Sequence, residues 1–200
     1  MNISLQTPTP AVSMTDRYVS TSETTFTVHC HDSTFRKVTV FDSSEQVLFR
    51  VEGSAIGTSW SWRRKVLDSS GRALFDFRHH KFDNKNGWVV ESPDGQKLCS
   101  LEHAAFLKKG HAAITAIVRT TAGEDVRVEM MPMDHSALTT TVGVDGCPFA
   151  AITKIEDNDV TLRGGKDRSV WSVQAASGVD LSLLLAMVLC RAEMGHVWKN

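Results

Sequence analysis

The chain has 200 residues, 42% of them hydrophobic and 22% charged, and a formal net charge of −1. A chain of this length can bury a sizeable core without disulfide or metal staples. The near-zero charge excludes bulk attraction to nucleic acid or to an anionic bilayer, so either kind of binding requires a local patch.

Residues 1–20, rich in Ser, Thr and Pro, lack the positive start and apolar centre of a secretory signal. They read as a flexible N-terminal tail, leaving 21–200 as a single domain. From Thr25 onward, short apolar segments alternate with turn signals. These include Asp42-Ser43-Ser44-Glu45, Asp68-Ser69-Ser70-Gly71, Pro93-Asp94-Gly95, Ala122-Gly123-Glu124-Asp125 and Asp145-Gly146. Asp can bond its own backbone and Gly tolerates positive φ, so both suit tight turns. The segments between them predict strands at 25–31, 36–41, 46–52, 58–67, 72–79, 87–91, 97–103, 112–119, 125–131, 138–144, 148–155 and 169–176. Alternation assigns their faces. Val47, Phe49 and Val51 oppose Arg50 and Glu52; Val126, Val128 and Met130 oppose Arg127 and Glu129; Leu138, Thr140, Val142 and Val144 form one stripe. Trp60 and Trp62 share a face opposite Arg63 and Lys65. The stretch 157–168 reads as a polar loop.

The last element is a helix. Asp180 is a suitable N-cap and Gly195 a suitable stop. Between 181 and 190 the only polar residue is Ser182, so no polar stripe exists and the helix must be buried on all sides. Spanning a bilayer takes about 20 apolar residues, which this run does not supply. A closed barrel with the helix along its axis satisfies both observations and removes sheet edges.

Three stretches carry a family resemblance: Val40-Phe41-Asp42 through Val47-Leu48-Phe49-Arg50-Val51-Glu52-Gly53; Val66-Leu67-Asp68-Ser69-Ser70-Gly71-Arg72-Ala73-Leu74; and Gly178-Val179-Asp180 leading into the helix. In order and spacing they resemble the LURP-one-related proteins of the tubby C-terminal-like superfamily, to which tubby and the phospholipid scramblases also belong. The resemblance implies a mainly β fold, a twelve-stranded antiparallel β-barrel enclosing one hydrophobic C-terminal helix. The first turn departs from it, with Asp42-Ser43-Ser44-Glu45 where the family usually has a Gly. The Cys-rich, Pro-rich scramblase N-terminal region is absent, so scramblase activity is not implied. Tubby-type domains bind phosphoinositide headgroups through basic residues on the barrel surface.

The candidate lipid-headgroup site is Arg63-Arg64-Lys65, with Lys81 and Lys85 nearby in sequence. Arg offers a fork matched to phosphate oxygens and Lys a point charge; the alternative is an ordinary solvated strand face. Lys108-Lys109 and Arg163, Lys166 and Arg168 are further basic clusters, read as loop solubility. His29-Cys30-His31 and His79-His80 lack a second cluster at zinc spacing, and Glu156-Asp157-Asn158-Asp159 lacks the EF-hand order, so no metal site is expected. The four cysteines, Cys30, Cys99, Cys147 and Cys190, contain no CxxC pair and suit a reducing compartment. There is no GxSxG or HExxH motif, and a filled barrel leaves no lipocalin-like cavity. The expectation is a non-enzymatic binding or regulatory module without a cofactor, cytoplasmic or peripheral at membranes. It would dock on phosphoinositide headgroups, as anionic phospholipids, or on a protein partner, with no nucleic acid and no transmembrane segment. The alternatives are a cytosolic enzyme of unrecognised type and a structural or interaction protein without a small ligand.

Overall fold

The structure, a computed structural model, describes residues 3–32, 35–53, 63–80, 87–103, 113–133, 136–158 and 167–197. Its strands are β1 (Thr24–Cys30), β2 (Lys37–Asp42), β3 (Val47–Gly53), β4 (Arg64–Asp68), β5 (Ala73–His80), β6 (Gly87–Glu91), β7 (Lys97–His103), β8 (Ile114–Arg119), β9 (Asp125–Pro132), β10 (Thr139–Val144), β11 (Cys147–Asp157) and β12 (Ser169–Ala175). The helix α1 spans Leu181–Val197. Each strand pairs antiparallel with the next, and β1 pairs with β12 from Thr24↔Ala175 to Cys30↔Ser169, closing a twelve-stranded barrel.

Strand alternation sorts the side chains as the sequence pattern requires. Phe49 and Val51 face in while Arg50 and Glu52 face out; Val126, Val128 and Met130 are buried. Leu138 is an exception. It precedes β10 rather than belonging to it, and at 50% exposure it lies outside the core stripe of Thr140, Val142 and Val144. From Leu183 to Cys190 every residue of α1 is fully buried. The helix runs past Gly195 to Val197, so this glycine keeps helical geometry and does not form the expected stop.

The N-terminal segment supplies part of the core. Val12 and Met14 are buried, and a 3-10 turn covers Asp16–Tyr18. The fully buried Asp180 carboxylate explains the docking. Its Oδ1 accepts from Ser182 N (2.8 Å) and Ser182 Oγ (2.6 Å), capping α1, and its Oδ2 accepts from Met14 N (2.8 Å) and Thr15 N (3.1 Å). Ser20 N then donates to Val179 O at 2.9 Å. The region expected as a tail thus contributes, over residues 12–20, a strap across the helix N-terminus.

Four hairpins share one turn, in which the first residue's N–H donates to the fifth residue's carbonyl, its own carbonyl accepts from the fourth residue's N–H, and the fourth takes a positive φ. They begin at Asp42, Asp68, Ser92 and Thr120. The fourth position is Gly71, Gly95 and Gly123 in three of them and Glu45, at φ 60, in the first. The left-handed region costs a non-glycine residue about 1 kcal/mol or more. Glu45→Gly is therefore expected to raise stability by about 0.5–1 kcal/mol after glycine's added chain entropy, a Tm gain of about 2–4 °C by scanning calorimetry at most.

In the second turn Asp68 Oδ1 accepts from Ser70 Oγ (2.6 Å), Ser70 N (2.9 Å) and Arg72 N (2.9 Å), and Oδ2 from Tyr18 OH (3.2 Å). The Ser70 hydroxyl, then the Arg72 amide, hold this carboxyl down at about 2. A depressed folded-state value gives stability that is present above the ordinary Asp range near 4 and lost as pH falls toward 2. Between those limits the Tm of the wild type should fall more steeply than that of Asp68→Asn.

Candidate functional site

The expected triad does not share a face, because residues on a strand alternate. Lys65 points outward. Arg64, with Val66 and Asp68, points into the barrel and is 2% exposed. Its guanidinium pairs there with Glu193 of α1, whose other carboxylate oxygen accepts from Trp88 Nε1 at 2.7 Å. Burial lowers the Arg64 pKa to about 10. Arg63 lies outside, paired with Asp76 (3.0 Å) and Glu91 (3.5 Å).

Lys65 belongs to a row of charges running around the barrel. Strand register places Lys37 beside Glu52, Glu52 beside Lys65, Lys65 beside Asp76, Asp76 beside Glu91, and Glu91 beside Lys97. Cross-strand neighbours of opposite sign attract. Lys65 therefore sits between two carboxylates, and Arg63 engages two more oxygens. Trp60, Trp62, Lys81 and Lys85 lie outside the described residues, as do Lys108, Lys109, Arg163 and Lys166.

A second basic surface is less compensated. A groove of about 500 Å³ on the outer face of β1–β3 is lined by His31, Arg36, Lys37, Thr39, Arg50 and Glu52, with Val38, Val51 and Gly53 beneath. The side chains of Arg36 and Arg50 form no ion pair among the described residues. Among the described residues Glu52 is the one carboxylate in the lining. The groove is held by local chemistry. Asp32 accepts from Arg36 N (3.2 Å) and Lys37 N (2.7 Å), fixing the entry into β2. Gly53 N donates to Arg36 O at 2.8 Å, and the Arg36 side chain lies against Gly53, where an added Cβ would stand 2.5 Å from its Cγ. Thr39 pairs with Arg50 across β2 and β3.

At one end of the groove Asp167 bridges two histidines. Its Oδ2 bonds His29 Nδ1 at 2.7 Å and its Oδ1 bonds His31 Nδ1 at 2.6 Å, while His31 Nε2 meets Thr39 Oγ1 at 2.8 Å. Burial works against ionisation of Asp167, but the hydrogen bonds from His29 and His31 prevail and its pKa is lowered. This is a polar clasp between β1 and the segment before β12. Among the described residues no group of three or more His, Cys, Asp or Glu is arranged to hold a metal ion. His79 packs its ring edge-on to Trp88, centroids 5.2 Å apart. Asp157 bonds Lys154 Nζ at 2.6 Å. Among the cysteines, Cys30, Cys99 and Cys190 are buried; burial pushes the Cys30 thiol up to about 12 and raises the other two as well. Those three are poor nucleophiles near neutral pH.

The comparisons with known proteins agree with this fold. A family model described as LURP-one-related matches residues 24–192. The X-ray structure of a protein from Arabidopsis thaliana superposes with a TM-score of 0.62 at 14% identity, covering 92% of this chain and 99% of that one. At that identity the likeness shows the fold alone. No curated protein matches.

The Arg64–Glu193 pair makes a measurable distinction between structural and surface cations. Removing one partner of a buried pair typically costs about 3–5 kcal/mol, whereas removing an exposed charge costs little. Arg64→Ala and Glu193→Ala should each lower the Tm by about 6 °C or more, and Arg63→Ala by about 2 °C or less, in thermal melts by circular dichroism.

Proposed function

Since the chain belongs to the LURP-one-related family, we propose that it is a non-enzymatic binding module that docks on phosphoinositide headgroups through the outer face of its barrel. The observation that carries this reading is the cationic groove on β1–β3. Arg36 and Arg50 present guanidinium forks without carboxylate partners among the described residues, beside the exposed Lys37. Such a set suits multiply charged phosphates, with Arg giving paired hydrogen bonds and Lys a mobile charge. The net charge of −1 makes the attraction local and therefore sensitive to salt.

Arg63 and Lys65 flank this surface one strand away and extend it toward β5. Arg64 is a fold residue in this reading, because its guanidinium is spent on Glu193 inside the barrel. The non-enzymatic part of the proposal is supported by the filled interior and by the raised pKa values of the three buried thiols. Attachment would be peripheral. Among the described residues no helix is long and apolar enough to cross a membrane.

The test is co-sedimentation with vesicles of neutral lipid, with and without phosphoinositides, across a salt series. Wild-type protein should pellet with phosphoinositide vesicles at low salt and release as salt rises. Arg36→Ala/Lys37→Ala/Arg50→Ala should lose most of this binding, and Arg63→Ala/Lys65→Ala a smaller part. Absence of wild-type binding to every anionic vesicle would overturn the reading and leave a protein partner for this surface.

A further inference from the structure

A separate cavity of about 180 Å³ opens at one end of the barrel, where α1 emerges between β10, β11 and β12. Its polar lining includes Lys154, Arg168, Arg191, Asp157 and Ser169, with Trp171 forming a wall. Among the described residues the lining carries Lys154, Arg168 and Arg191 and one carboxylate, Asp157, which is bonded to Lys154. The volume corresponds to about six waters, enough for a tetrahedral oxyanion with part of its hydration.

Arg191 is the informative residue. It is the first charged residue after the apolar run of α1, so the helix delivers it to the barrel mouth at a fixed position. Its Nε is buried without a hydrogen-bond partner, and its Nη2 reaches only Ala137 O at 3.4 Å. No ion pair with Arg191 occurs among the described residues, in contrast to Arg64, which burial has matched with Glu193. Burial lowers the pKa of Arg191 for the same reason. The guanidinium lies 5.9 Å from the Trp171 ring centroid and Lys154 Nζ 5.3 Å from it, so one indole gathers both cations. Arg168, 4% exposed, is held over the Phe35 ring at 4.7 Å. The Ser169 hydroxyl, 3.0 Å from Trp171 Nε1, adds a neutral polar group. A buried cation without a counter-charge is costly, and a bound anion removes that cost.

We propose that this cavity is a binding site for a phosphate-type dianion, either inorganic phosphate or the phosphomonoester end of a small molecule, held by Arg191, Lys154 and Arg168. It is distinct from the outer groove, which lies on β1–β3. The enclosure of the site favours a free anion over a headgroup still embedded in a bilayer.

The experiment is thermal melting and isothermal calorimetry with sodium phosphate and with glycerol 3-phosphate, each against sodium chloride at matched ionic strength. Phosphate at about five times its Kd should raise the wild-type Tm by about 2–4 °C, and chloride should not. Lys154→Gln, at a partly exposed position that tolerates change, should weaken binding about ten-fold or more, as should Arg191→Gln. The Arg36→Ala/Lys37→Ala/Arg50→Ala variant should keep the full phosphate response, which separates this site from the groove. A phosphate effect equal to that of chloride, or one undiminished in both Lys154→Gln and Arg191→Gln, would overturn the proposal. So would loss of the effect in the groove variant alone. Binding to vesicles carrying phosphatidic acid that is lost in Lys154→Gln, with no response to either soluble anion, would overturn the assignment to a free anion.

Discussion

A helix without a polar side cannot be left at a surface, and the rest of this molecule is organised around that constraint. From Leu183 to Cys190 no residue of α1 touches water. A sheet curled until its first strand meets its last achieves this in one layer and leaves no open sheet edge. The two polar features at the ends of the helix are then placed where the barrel can satisfy them. Asp180 gathers four hydrogen bonds at the entrance, two from the helix and two from the N-terminal strap. Glu193 meets Arg64 and Trp88 toward the exit. Both acids are buried and both are satisfied, Glu193 by the Arg64 guanidinium and Asp180 by hydrogen bonds.

The outer surface follows a different rule. Charges there are distributed by strand register: Lys37, Glu52, Lys65 and Asp76 alternate in sign, Glu91 meets Lys97, and the like-signed neighbours Asp76 and Glu91 are bridged by Arg63. The groove arises where that pairing fails. Arg36 enters from the connection before β2, not from a strand position, and lies over Gly53 at the end of β3. It therefore has no cross-strand partner. Arg50 stands opposite Thr39, which carries no charge.

Most of the fold was legible in the sequence because two periodicities carry it. Strand alternation located all twelve strands to within a few residues among those described, and the unbroken apolar run from Leu183 onward located the helix. The departures have physical causes. Period-two alternation splits Arg63, Arg64 and Lys65 between faces, so a basic run read along the chain was not a basic patch in space. Composition alone made residues 1–20 a tail, since the acceptor that docks Met14 and Thr15 is Asp180, at the far end of the chain. Leu138 fell outside its stripe because β10 begins one position later. The groove was not legible as a site. Arg36, Lys37 and Arg50 come together only through the β2–β3 register, and Gly53 gives no local signal that it makes room for Arg36. Arg191 was visible only as the residue that ended an apolar run.

The order of the elements along the chain bears on how the molecule reaches this state. The twelve strands precede the helix that fills them, and the contact that seals the barrel joins β1 to β12. During synthesis, the inward faces of the strands are made before their principal apolar partner exists. Stable closure must wait until α1 has left the ribosome, because a sealed wall would shut out its own filling. The strap at Met14 and Thr15 cannot lock before then either, since Asp180 belongs to the same late segment. Such a chain is rich in long-range pairings and exposes apolar strands while it waits, which makes folding slow and dependent on protection from aggregation. The element that stabilises the finished barrel is thus also its timing device.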